Sequence, residues 1–187
     1  MKVKISDKVS ATVESAKALN HGIKLTAHWE WEQFRAGNLI DQWVYDNVCT
    51  DEGLDHMLDS TFDAATQITA WYVEIFEDDV TPDGDTTYAV PVYTPSISYD
   101  EATRPVYTAA VAASRVTTNA ASKAVFTISA TKTIYGAALV GGGTDGDTKG
   151  DVAGGGTLFS ASKFGAAKNV IADDVLNVTI AITLADS

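Results

Sequence analysis

Cysteine is nearly absent from this 187-residue chain, with Cys49 the only one. A single thiol closes no internal disulfide and builds no thiolate metal cluster, which excludes a disulfide-framed secreted module and a zinc finger. Basic residues are scarce as well: 13 Lys and Arg stand against 25 Asp and Glu, for a net charge of −12. Nucleic acids are held largely by counterion release against a basic surface, so no general DNA or RNA partner is expected. No apolar run reaches the roughly 18 residues that a membrane-crossing helix needs. Met1 to Lys8 alternates apolar and polar residues without the apolar stretch of a secretory leader. The expectation is a chain with neither a membrane span nor a secretion address.

What remains is a folding sequence. Hydrophobic residues make up 45% and charged ones 20%, which separates the chain from a disordered acidic tail. A compact fold of this length removes roughly 70% of the unfolded chain's surface from water, enough to hold without disulfides or a structural metal.

Residues 1–24 read as an N-terminal arm. A short alternation at Val3 and Ile5 precedes an Ala-rich stretch from Ala11 to Leu19, and Asn20-His21-Gly22 stops it. A β domain is expected over residues 25–187. From Leu25 to Phe34 the pattern has period two, with Leu25, Ala27, Trp29 and Trp31 on one face and His28, Glu30 and Glu32 on the other. Ala36-Gly37-Asn38 then offers a turn, and a second β-rich run covers 39–48, so a hairpin is expected. Thr50-Asp51-Glu52-Gly53 resembles a helix start, and Leu54, Met57, Leu58 and Phe62 keep helical spacing; a helix is expected over about 51–62.

Thr69 to Phe76 is aromatic and β-branched, hence a buried strand, and Asp78-Asp79 with Pro82-Asp83-Gly84-Asp85 ends it. Pro82, Pro91 and Pro95 keep a central strand out of the loop that follows, up to about residue 103. Further strands are expected at 105–111, 123–129, 133–140, 157–160 and 175–184. Many short strands with one helix indicate a mainly β chain, an antiparallel sandwich or barrel-like domain.

Candidate chemistry is thin. Gly141, Gly143 and Gly146 satisfy a G-x-G-x-x-G spacing formally, but no amphipathic helix follows, and Asp145 and Asp147 would repel a pyrophosphate. Asp145, Asp147 and Gly150 fit the first, third and sixth places of a calcium loop, yet Lys149 and Gly156 stand where two further ligands belong. The stretch 141–156 reads better as a flexible surface hairpin loop. Asp83 and Asp85 fail the same template at Tyr88. His21, His28 and His56 are the only imidazoles, and no G-x-S-x-G elbow is present. Acidic neighbours Asp51 and Glu52 would raise the Cys49 thiol, which fits a structural cysteine. His28, Glu30 and Glu32 share a strand face that could hold a metal or work as an acid and base, but no second constellation supports catalysis, and a solvated sheet face is the plainer reading. Neither a cofactor nor a metal site is expected. Asn177-Val178-Thr179 matches a glycosylation sequon but reads as a strand segment.

Aromatics are the other resource. Trp29, Trp31, Trp43, Tyr45, Trp71, Tyr72 and Phe76 lie in the first three strands. Core packing explains them, and so would stacking platforms for sugars if their faces were exposed.

The order of segments resembles a group of small structural proteins of tailed bacteriophages, from about His28 to the end. The resemblance is carried by His28-Trp-Glu-Trp-Glu32, Asp46-Asn-Val-Cys-Thr-Asp-Glu-Gly-Leu-Asp-His-Met-Leu-Asp59 and Gln67-Ile-Thr-Ala-Trp-Tyr-Val-Glu-Ile-Phe76. Thr103-Arg-Pro105, Ala124-Val-Phe-Thr-Ile128, Thr133-Ile-Tyr-Gly-Ala137, Gly156-Thr-Leu-Phe-Ser-Ala-Ser-Lys-Phe164 and Asp174-Val-Leu-Asn-Val-Thr179 continue it in the same order. It implies a capsid decoration (cement) protein or a head or tail accessory part, with no catalytic residues. The partners then expected are a major capsid protein and further copies of the chain in a cyclic homo-oligomer, on the capsid exterior after synthesis in the host cytoplasm. The expected contact residues are Val3, Ile5 and Val9 of the arm and Trp29, Trp31 and Trp43 of the hairpin. A glycan-binding domain of a tail or fibre is the alternative. A metal-dependent hydrolase using Asp145, Asp147 and the His28 face is a distant third.

Overall fold

The computed structural model describes residues 23–186. Its first hairpin follows the alternation directly: β1 (Ile23–Arg35) and β2 (Asn38–Cys49) pair antiparallel from Ala27↔Asn47 to Arg35↔Asn38. The turn is made by Ala36 and Gly37, with φ of 47° and 76°. Two successive residues in the left-handed region match the right-handed twist of the flanking strands. Glycine takes that conformation freely, whereas Ala36 bears the cost of a Cβ there.

Thr50 caps α1 (Asp51–Phe62): its side-chain oxygen accepts from the Gly53 N–H at 3.2 Å, and Asp51 and Glu52 face the positive end of the helix dipole. Gly53 then lets α1 lie against β7 (Thr157–Val170), since a Cβ built there would stand 2.6 Å from the Phe159 carbonyl oxygen.

Two groups of strands share one curled antiparallel sheet. In the first, β1 lies between β2 and β8 (Val175–Asp186), while β4 (Val116–Thr118) and β5 (Ala124–Thr127) divide the far edge of β8 between them. In the second, β6 (Lys132–Gly141) lies between β3 (Trp71–Phe76) and β7. The groups join where the end of β2 meets β7, at Val48↔Ala161 and Cys49↔Ser160. The resulting half-barrel has an open seam between β3 and β5, and an irregular strap spans it. Ser96 N–H donates to Ile75 O at 2.7 Å, Asp100 N–H to Thr127 O at 2.8 Å, and Tyr107 N–H to Trp71 O at 2.8 Å. Both outer edges of the sheet are thereby covered.

The inward faces form the core. Trp29 and Trp31 stack at 6.2 Å, Trp31 stacks on Trp43 at 5.6 Å, and Phe164 meets Trp31 edge-on at 5.4 Å. Such pairs add about 0.5–1.5 kcal/mol each beyond the area they bury. Val178 and Ile180 of β8 continue this layer below Trp31 and Trp29.

The expected mainly β architecture with one short helix is what the chain adopts. Four details differ. Residues 105–111 form no strand; Val106 makes a single bridge to Tyr72, because the strap touches β3 and then moves on. Residues 116–118, unassigned in the sequence, form a strand because the β8 edge receives them. The strand starting at 157 runs to Val170, more than three times the expected length, since β6 pairs with it on both sides of an irregularity at 164–167, at Thr157–Lys163 and again at Lys168–Val170. The arm boundary moves as well: Ile23 and Lys24, assigned to it, already belong to β1. Residues 1–22, including Val3, Ile5 and Val9, lie outside the described residues.

Candidate interaction surface

Register decides which side chains of the hairpin face outward. Trp29 pairs with Tyr45 and Trp31 with Trp43, so the odd-numbered residues from Ala27 to Gln33 and from Trp43 to Asn47 point into the core. Trp29 and Trp31 are 0% and 1% exposed. These two rings, expected to meet a partner, are therefore enclosed by their own chain. Trp43 is half-buried, stacked on Trp31 on one side with the Lys168 ammonium 4.4 Å from its ring centre. None of the three offers an open face on which a sugar could stack.

The even-numbered residues form the outer face. On β2 they are Ile40, Val44 and Val48, exposed by 47%, 62% and 43%, with Gln42 and Asp46 between them. On β1 they are His28, Glu30 and Glu32. His28 Nδ1 lies 2.7 Å from Asp46 Oδ1 and its Nε2 lies 3.9 Å from Glu30, while Lys123 bonds Glu32 at 2.9 Å. Small residues of β8, Thr179 and Ala181, lie beside Glu30 and His28. The face is acidic, and Ile40, Val44 and Val48 interrupt it with apolar side chains. Leu54 at the start of α1, together with Ile23 and Leu25, lines a recess with Val48.

β2 has a second exposed feature. Between Asn38 and Asn47 it pairs with β1 alone; among the described residues no strand pairs with its other edge. There β7 diverges, and side chains span the gap: Lys168 bonds Asp41 at 2.8 Å, and Phe164 packs on Tyr45 at 4.9 Å.

The Gly- and Asp-rich stretch 142–156 joins β6 to β7 as a hairpin connection, as its composition suggests, but it is pinned at its centre. The Arg104 N–H donates to Asp147 O at 2.7 Å, and its guanidinium donates to Gly146 O at 3.0 Å, Asp151 O at 2.6 Å and the Tyr88 hydroxyl at 3.1 Å. The Tyr88 hydroxyl donates in turn to the Asp151 carboxylate at 2.8 Å. Behind them the Glu74 carboxylate meets the Arg104 guanidinium inside the protein. Burial opposes the charge of Arg104, but Glu74 and Tyr88 outweigh it and keep the guanidinium charged. Glu74 is the partner that titrates, pushed up to about 7 chiefly by burial, with Arg104 pulling the other way. This network shapes a loop; its charges are spent on backbone carbonyls and on each other, with none turned to solvent for a ligand.

The remaining candidates disperse. His28 and Glu30 stand on the outer face of the sheet, far along the fold from Asp145 and Asp147 in the β6–β7 connection. Among the described residues, no three His, Cys, Asp or Glu side chains gather in an arrangement fit for a metal ion. Burial pushes the Cys49 thiol up to about 11; desolvation is the cause, in place of the acidic neighbours suggested by the sequence.

Sequence reading missed Ile40, Val44 and Val48 as a unit. Their spacing of four residues on a strand was the available signal, since it places all three on the face opposite Trp43 and Tyr45. It missed Arg104 as well, although a lone Glu74 inside an apolar strand pointed to a buried counter-charge. No family model matches the chain, and no curated protein does either.

Proposed function

We propose that this chain is a non-enzymatic virion structural protein of a tailed bacteriophage, a capsid decoration protein that stabilises the head by binding adjacent major-capsid subunits from outside. The order of sequence segments supports the phage assignment. The observation that carries the binding role is the apolar row Ile40, Val44 and Val48 on the open face of β1 and β2. Burying these side chains against a partner would be worth about 25 cal/mol for each Å² of apolar surface removed from water. A net charge of −12 keeps free copies soluble and apart until they meet a matching surface. The glycan-binding alternative loses support, because the hairpin tryptophans that would serve as platforms are stacked and covered.

The test is occupancy on particles. Capsids lacking the protein are mixed with the wild-type chain or with Val44→Asp, and the bound copies are counted by electron microscopy and gel densitometry. Wild-type decoration with loss of binding by the variant supports the reading. Wild-type protein that fails to bind, or full occupancy by the variant, overturns it.

A further inference from the structure

We propose that the open edge of β2, residues 38–47, receives residues 1–9 of a second copy as an added strand. This goes beyond the capsid-binding reading above, and it is tested on free protein so that the two can fail separately.

The receiving edge is defined by backbone direction. The Gln42 N–H bonds its neighbour's carboxylate, Asp41 Oδ1, at 2.9 Å, and so points away from the β1 ladder. Along a strand the N–H and C=O of alternate residues face the same side. Gln42, Val44 and Asp46 therefore turn their backbone groups to the open edge, in line with Val48, whose neighbours on that side are residues of β7; the alternation stops at Ile40, the extra residue of a bulge against β1. A long edge without Pro or Lys is the kind that recruits another strand, and β2 has neither residue between 38 and 47.

The donor is chosen by pattern and charge. Met1-Lys-Val-Lys-Ile-Ser-Asp-Lys-Val9 alternates, with Val3, Ile5 and Val9 on one face, interrupted by Asp7, and Lys2, Lys4 and Lys8 with Ser6 on the other. As a strand beside β2 it would set Val3, Ile5 and Val9 over the packed side chains of Trp43, Tyr45 and Phe164. Its lysines would then lie on the outer face beside Asp46 and Glu30, two carboxylates with no Lys or Arg partner among the described residues. A second copy of β2 is the poorer occupant, because Asp41 and Asp46 bring like charges to both sides.

The donor is assigned to another copy because β2 meets β7 at Val48 and Cys49, at the end of the hairpin from which the arm leaves β1, so the chain's own arm has no in-plane route to the open edge and would have to cross a face of the sheet. Residues 10–22 can extend about 3.3 Å each, roughly 40 Å in all, which is enough to reach a neighbour. Strand addition of this type draws affinity from main-chain hydrogen bonds and specificity from alternate side chains.

The test uses the full chain with a benzoylphenylalanine photo-cross-linker at Ile5, in an equal mixture of isotopically light and heavy copies. The expected product is a light-to-heavy cross-link onto residues 38–47, found by mass spectrometry. Cross-links confined to one chain, placed elsewhere, or absent overturn the proposal. Gln42→Pro takes a donor only from the open edge, so it should abolish the cross-link while circular dichroism stays unchanged; a persisting cross-link overturns the proposal. Reversing Lys2, Lys4 and Lys8 to Glu leaves the described fold untouched and should weaken association about tenfold or more by sedimentation. Unchanged association would overturn the charge match on which the donor was chosen.

Discussion

Arg104 and Glu74 form an ion pair inside the protein, with side chains 1% and 4% exposed, and the same guanidinium holds two carbonyls of the 142–156 connection, Gly146 O and Asp151 O, and the hydroxyl of the neighbouring Tyr88. One residue from the irregular strap thus ties the β3 strand to the connection between β6 and β7.

Arg104→Met should be costly, since it leaves a carboxylate without its counter-charge and frees two loop carbonyls. Losing one partner of a buried pair costs about 3–5 kcal/mol. The double variant Arg104→Met with Glu74→Leu should recover a large part of that loss, because no charge then remains buried. Urea unfolding of the four proteins measures both. A double variant no more stable than Arg104→Met would show that loop anchoring, and not the stranded charge, dominates.

Asp174 makes the acid limb of stability. It is fully buried and accepts from Gln33 at 2.7 Å, from Arg35 at 2.7 Å and from the Ile171 N–H at 3.0 Å. The Arg35 guanidinium, followed by the Ile171 and Gln33 hydrogen bonds, outweighs burial and holds the carboxyl below its ordinary value. A folded pKa below the unfolded one means stability that is present above the unfolded value, about 3.9, and lost as pH falls through the folded one. Asp174→Asn should cost about 2 kcal/mol at neutral pH and flatten the decline in melting temperature between about pH 4 and 2.

Gly53→Ala reverses the usual helix rule. An exposed helical glycine replaced by alanine gains about 1 kcal/mol. Here the new methyl would meet the Phe159 backbone, with the carbonyl oxygen at 2.6 Å and Cα at 2.7 Å. The helix must move off β7, so a loss of about 1–3 kcal/mol is expected in thermal unfolding. A stabilised variant would show that α1 is not seated as described.

Val44→Asp and Trp31→Ala should separate surface from core on one hairpin. Val44 is 62% exposed, so its variant should stay within about 0.5 kcal/mol of wild type while losing particle binding. Trp31 is buried against Trp29, Trp43, Phe126 and Phe164, and its truncation should cost about 3–5 kcal/mol. Guanidinium unfolding followed by tryptophan fluorescence checks both.

The local chemistry of the chain was enough to determine the first hairpin, the helix and the β class. Alternation at Leu25–Phe34 needs only the two-residue period of a strand, and Thr50 with its acidic neighbours carries a helix start in four residues. Those signals are short-range, and a sequence shows them directly. It was also enough to say that Trp29 and Trp31 share a face, though not whether that face meets a partner or the chain's own core. Tertiary pairing decided this, by folding β7 and Phe164 over the tryptophans and turning Ile40, Val44 and Val48 to solvent. The same pairing resumed beyond a stretch of small residues that has no partner in β6, which carried β7 on to Val170, and it left β2 open along one edge. Arg104 found Glu74 only through contacts between segments thirty residues apart, where neither periodicity nor composition reaches. Edges, seams and buried charges depend on which strands become neighbours, and that is settled by the packing of the whole sheet.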